Sequence, residues 1–98
     1  MPLTVASDPF AQGLDRAVVL RLLAGPRHFT KADLRKYRST EHWAATKGEA
    51  LKAHGYRCGM CTALAAQVHH RHYRTLFRES MEDLRILCRN CHKRHHGK

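Results

Sequence analysis

Along the first dozen residues apolar and polar positions show no period. Met1 to Gln12 mixes Pro2, Ser7, Asp8 and Pro9, the composition of a mobile arm. A helical period begins at Leu14. Leu14, Ala17, Val18, Leu22 and Leu23 fall on one broad helical face, and Gly25-Pro26 ends the element. Thr30 with Asp33 reads as a capping box with a shorter acid, which opens a second short helix through about Tyr37. Ser39-Thr40 offers the next N-cap, with Glu41 in the first turn. Trp43, Ala44, Ala50 and Leu51 then recur at helical spacing until Gly55 supplies a left-handed stop. Gly48 weakens that helix by about 1 kcal/mol relative to Ala. The helix must therefore lean on tertiary contacts, with Trp43 as its anchor.

Beyond Gly55 the period changes. Gln67 to Arg71 and Leu84 to Cys88 are the good strand candidates, able to pair as an antiparallel ribbon across the loop from Tyr73 to Met81. Asn90 to His96 reads as a closing helix. There are no repeats and no low-complexity tracts. The expected class is α+β, a two-stranded ribbon and a helix preceded by N-terminal helices. The longest apolar run, Ala17 to Ala24, is broken by Arg21 and is too short to span a membrane. A cytoplasmic protein is expected.

Composition sharpens this picture. A chain of 98 residues allows one domain. A chain of that size buries only about two thirds of its unfolded surface, so a metal staple is a plausible need. The cysteines supply one: Cys58-Gly-Met-Cys61 and Cys88-Arg-Asn-Cys91 are two C-x-x-C pairs with 26 residues between them. Each pair offers two thiolates from one tight turn, the spacing of a closed tetrahedral zinc site. Disulfides are the competing account, but adjacent C-x-x-C pairs rarely close on themselves, and no secretory leader precedes them. Lys plus Arg is 18 against 8 Asp plus Glu, a net +10, distributed as +3 over residues 1 to 49 and +7 over residues 50 to 98. Four thiolates around one Zn²⁺ would remove two charges, which leaves +8 and a chain still strongly attractive to a polyanion such as nucleic acid. Basicity alone fits a solvated surface equally well.

What tips the balance is the order of the histidines around the cysteines: Val68-His-His70, then Glu82-Asp-Leu-Arg-Ile-Leu-Cys88, then Cys91-His92-Lys-Arg-His-His96. This order resembles the HNH (ββα-metal) endonuclease family, over roughly the last sixty residues from about Tyr37. Residues 1–36 form an N-terminal arm with short helices outside the resemblance, and residues 37–98 the nuclease domain with its zinc knuckle. The resemblance implies a small HNH fold in which a four-cysteine zinc knuckle, made here by Cys58, Cys61, Cys88 and Cys91, staples ribbon to helix. It also implies one catalytic divalent metal, Mg²⁺, Mn²⁺, Ni²⁺ or Zn²⁺. Carried over, His69 and His92 are metal ligands and His70 is the general base. Asp83 stands where the family usually has Asn, and Phe77 where it often has Gly. The closing His-x-x-x-His before Gly97-Lys98 is similar to the helix end of the colicin-type nucleases, which adds His96 as a ligand; on a helix, positions i and i+4 share a face. His95 is a rival for that role.

The implied reaction is DNA phosphodiester hydrolysis. His70 would take a proton from water, hydroxide would attack phosphorus, and the metal would stabilise the leaving 3′ oxygen, giving 5′-phosphate ends. Adjacent strand residues face opposite ways, so His69 and His70 can share a site only where the strand ends or twists. Arg71, Arg74, Arg78, Arg85, Arg89 and Lys98 are candidates for phosphate contacts, as are Lys31, Arg35, Lys36 and Arg38 on the second helix, and Tyr73 for stacking on a sugar or base. The expected partners are DNA and a larger nucleic-acid-processing complex. The principal alternative is a non-catalytic zinc-knuckle nucleic-acid-binding module. A structural adaptor using the Leu14 to Leu23 helix is a third, and a helix-turn-helix reader is disfavoured by Pro26 and the short second helix.

Overall fold

The computed structural model describes residues 6–96, the side chains of 95 and 96 excepted. Four helices, α1 (Arg16–Ala24), α2 (Lys31–Tyr37), α3 (Glu41–Ala53) and α4 (Arg89–His96), accompany two strands, β1 (Gln67–His70) and β2 (Leu84–Leu87). The strands pair antiparallel, with Gln67 opposite Leu87 and His70 opposite Leu84.

The local signals act as their chemistry requires. At the start of α2, Thr30 Oγ1 accepts from the Asp33 amide at 3.1 Å and Asp33 Oδ2 accepts from the Thr30 amide at 3.0 Å, the expected reciprocal box. Asp33 also receives the Arg21 guanidinium in a two-pronged bond of 2.8 and 2.9 Å, which clips α1 to α2. That fork, with the box, holds the Asp33 carboxyl well below the usual carboxylate range. Thr40 caps α3 by accepting from the Trp43 amide at 3.1 Å. Gly55, at φ 61°, ends it in the left-handed conformation that glycine adopts at no steric cost.

The N-terminal segment differs from the expected mobile arm wherever it is described; Met1 to Val5 lie outside the described residues. Ser7 donates its amide to the Phe77 carbonyl at 2.9 Å and places its hydroxyl 2.6 Å from His42 Nδ1. Gln12 Oε1 accepts from the His42 amide at 3.0 Å, satisfying one of the orphan donors of α3's first turn. Absence of periodicity did not mean absence of partners, because the segment is held by hydrogen bonds. On α1 the buried face is Val18, Val19 and Leu22; Leu23, in the last turn, stays 47 % exposed.

One hydrophobic cluster joins Val18 and Leu22 to Tyr37, Trp43, Phe77 and Leu84 and runs on to Cys58, Cys88 and Cys91. The N-terminal helices thus share their core with the ribbon. Phe77 has φ 70°, the backbone a glycine would give there. A side chain in that region costs about 1–2 kcal/mol. The ring offsets this by being 1 % exposed and edge-on to Tyr37 at 5.0 Å. Among the described residues no helix is long and apolar enough to cross a membrane.

Candidate functional site

The knuckle is a hairpin around Cys58. Its amide donates to the Ala63 carbonyl at 2.7 Å, the Gly59 amide to the Ile86 carbonyl of β2 at 2.8 Å, and Tyr56 and Thr62 take positive φ to close the turn. This hairpin carries Cys58 and Cys61 to the C-terminal end of β2, where Cys88 and the first turn of α4 present the other pair. The four sulfurs lie within 4.8 Å of one another, and Cys61 Sγ is 3.5 Å from Cys88 Sγ. Tetrahedral thiolates at about 2.3 Å from a zinc ion sit about 3.8 Å apart, so the set fits one such ion with small adjustments. Burial pushes the Cys58 thiol up, but backbone amides of Cys88, Met60 and Cys61 outweigh it and bring it to about 6. The Cys91 amide lowers Cys88 in the same way. Cys91 goes the other way, up to about 12, because its neighbours Cys61 and Cys88 crowd it. Thiolates are the form in which cysteines bind a metal. These four cysteines could hold a metal such as zinc, as expected.

Against the ribbon lies a cleft of about 310 Å³ walled by α3 on one side and by β1 and α4 on the other. His69, His70 and His92 line it, with Trp43, Arg38 and Lys47. His69 and His92 meet edge to face, ring centroids 5.9 Å apart. β1 ends at His70, which lets both adjacent histidines reach the same cleft. His96 was the third expected ligand; its side chain lies outside the described residues, as does Lys98. Among the described residues the cysteine set is the only group of three or more potential metal ligands brought together.

His70 is 5 % exposed and stacks on Trp43 at 4.6 Å and 22°. Its Nε2 lies 2.8 Å from Glu79 Oε2. Glu79 is completely buried, and its other oxygen lies 2.6 Å from His42 Nε2, while the Tyr37 hydroxyl donates to Oε2. Burial pushes the Glu79 carboxyl up, but the bonds from His42, His70 and Tyr37 prevail and bring it down to about 2. Conversely, burial beside the Glu79 charge holds the Tyr37 phenol well above its ordinary range, so it stays a donor. A chain of hydrogen bonds therefore runs from Ser7 through His42 and Glu79 to His70.

Glu79, His42 and Tyr37 were not singled out by sequence reasoning. His42 and Thr46 share a buried row with Ala50 at i, i+4 spacing, which is the one signal that a polar core faced inward there. Asp83, at the position where the resembled family usually has Asn, bonds not to His70 but to the loop before it. Its carboxylate accepts from Thr75 Oγ1 at 2.8 Å and from the Ser80 amide at 2.9 Å, and lies 3.0 Å from His72 Nε2. These bonds hold the loop of residues 72–80 rather than the base. Although part-buried, Asp83 is lowered by the Ser80 and Thr75 donors. Tyr73 is half-buried, edge-on to Phe29 at 5.7 Å and 5.3 Å from His70, so it walls in that histidine instead of presenting an open face. Arg85 stands opposite His69 in the ribbon register and thus beside it on the same face. Arg71, Arg74, Arg78 and Arg89 are exposed, the first three on the loop after β1.

No known protein-family model matches the chain, nor does any curated protein or solved structure.

Proposed function

We propose that this chain is a metal-dependent endonuclease that hydrolyses DNA phosphodiester bonds, with an HNH-type arrangement in which the four-cysteine knuckle binds zinc. The observation that carries the reading is a histidine, His70, fixed by a buried carboxylate at the wall of a cleft that two further histidines share. An ionised Glu79 favours the proton on His70 Nε2, which leaves Nδ1 as the nitrogen to accept a proton from water. Stacking on Trp43 and the ring of Tyr73 hold the imidazole plane, so the base is oriented before substrate arrives. The hydroxide so formed attacks phosphorus, and the 3′ oxygen leaves. His69 and His92 would hold the divalent ion, whose chemistry is to stabilise charge on that oxygen.

The rival reading, a zinc-knuckle module that binds nucleic acid without cutting it, rests on the cysteine set and the basic charge. It leaves unexplained why a buried carboxylate holds a histidine beside His69 and His92. The test is a labelled duplex oligonucleotide incubated with protein and Mg²⁺, Mn²⁺, Ni²⁺ or Zn²⁺ singly. Cleavage to ends that ligate without prior phosphorylation supports the nuclease. Binding without cleavage under every metal supports the module.

A further inference from the structure

The cleft has a second wall that the proposed chemistry does not use. Arg38, just past α2, and Lys47, in the second turn of α3, line it together with β1 and His92. Among the described residues no acidic side chain lines this cleft. The cations elsewhere in the fold show what a structural role looks like: Arg21 is tied by two bonds to the buried Asp33. Among the described residues neither Arg38 nor Lys47 has a side-chain ion pair. Two unneutralised cations facing a concave, acid-free space attract an anion, and a cleft of about 310 Å³ has room for about one nucleotide unit, at the small end of ligand clefts.

We infer that Arg38 and Lys47 form a phosphate-binding subsite on the helical wall of the cleft, which holds the backbone phosphate of a nucleic-acid strand next to the phosphate presented to His69, His70 and His92. The guanidinium suits two-point binding of phosphate oxygens and the ammonium adds a point charge. Binding at this subsite requires no catalysis; only the adjacency to a reacting phosphate rests on the nuclease reading. The subsite also gives α2 and α3 a task beyond packing, since they bring these two side chains to the ribbon.

The chain contains one tryptophan, Trp43, and it lines the same cleft, so its fluorescence reports occupancy locally. The zinc-loaded protein, with no other divalent metal added, is titrated with tetrathymidylate while Trp43 emission is followed. The R38Q/K47Q double variant is compared with R27Q/K52Q, which removes the same charge from exposed positions outside the cleft. A saturable change in emission is expected, weakened about tenfold or more in R38Q/K47Q and less than about threefold in R27Q/K52Q, with a salt slope shallower by about one phosphate in the first pair only. No change in wild-type emission, or equal weakening in both pairs, overturns the subsite. Far-ultraviolet circular dichroism confirms that each variant is folded, and single substitutions replace any double that is not. If the pair-specific effect holds but no metal supports cleavage, the subsite stands and the nuclease reading falls; cleavage with no pair-specific effect gives the reverse.

Discussion

Replacing Glu79 by Gln removes a fully buried charge while keeping its shape. The carboxylate is fully buried and meets three groups, His42 Nε2 at 2.6 Å, His70 Nε2 at 2.8 Å and the Tyr37 hydroxyl. Its pKa falls from the ordinary 4.5 to about 2 in the folded protein. Because the folded value is the lower one, the ionised group stabilises the fold above pH 4.5 and that contribution is lost as pH falls through 2. A gap of about 2.5 units at about 1.4 kcal/mol per unit is about 3 kcal/mol at neutral pH. Glutamine keeps one acceptor oxygen but sets an amide N–H₂ against a donor, so E79Q should lose about this much. For a domain of this length that lowers Tm by roughly 10–20 °C. Urea unfolding followed by circular dichroism at pH 7 and pH 3 measures it, and the gap between wild type and E79Q should shrink to about half at pH 3. A variant within about 0.5 kcal/mol of wild type at pH 7, or a gap unchanged at pH 3, would refute the reasoning.

Three further outcomes are expected. Cys58→Ser or Cys88→Ser should unfold the chain, since a structural zinc supplies several kcal/mol to so small a fold; a folded, zinc-free variant by metal analysis would count against the clip. Phe77→Gly should relieve the left-handed strain yet lower stability by about 2 kcal/mol net, because the lost core ring outweighs it; equal or greater stability in urea would mean the ring contributes little. Asp83→Asn should cost about 1–2 kcal/mol by setting an amide against the Thr75 or His72 donor. It should leave both the order of active metals and the pH profile unmoved, and a shifted acid limb would show that Asp83 acts on His70 after all.

Much of the backbone was legible. The Thr30 and Asp33 box, the Thr40 cap and the Gly55 stop are local signals, and each produced the end it encodes. The strands fell close to where they were expected, and the two C-x-x-C pairs met because the hairpin at Cys58 docks on β2 through the Gly59 amide and the Ile86 carbonyl. The support of His70 was not legible, because it has no local pattern. Ser7, His42 and Glu79 come from an aperiodic segment, a helix and a loop, and only tertiary packing aligns them. Phe77 shows a different limit. A position that a glycine fits best is occupied by a residue that keeps the same backbone through burial. Sequence reasoning reads propensity and cannot see that compensation.

The central claim is that His70 is the base of a phosphodiesterase. His70→Ala is a poor probe, because it would strip Glu79 of a partner and open a cavity beside Trp43. His70→Gln keeps an N–H for the carboxylate and removes the proton acceptor. Supercoiled plasmid is incubated with zinc-loaded wild type and H70Q, with Mg²⁺, Mn²⁺, Ni²⁺ or Zn²⁺ added singly, and relaxation is followed beside DNA binding. Wild type should relax the plasmid with at least one metal, and H70Q should be slower by about a hundredfold or more at equal affinity. No relaxation under any metal, or undiminished relaxation by H70Q, would contradict the account.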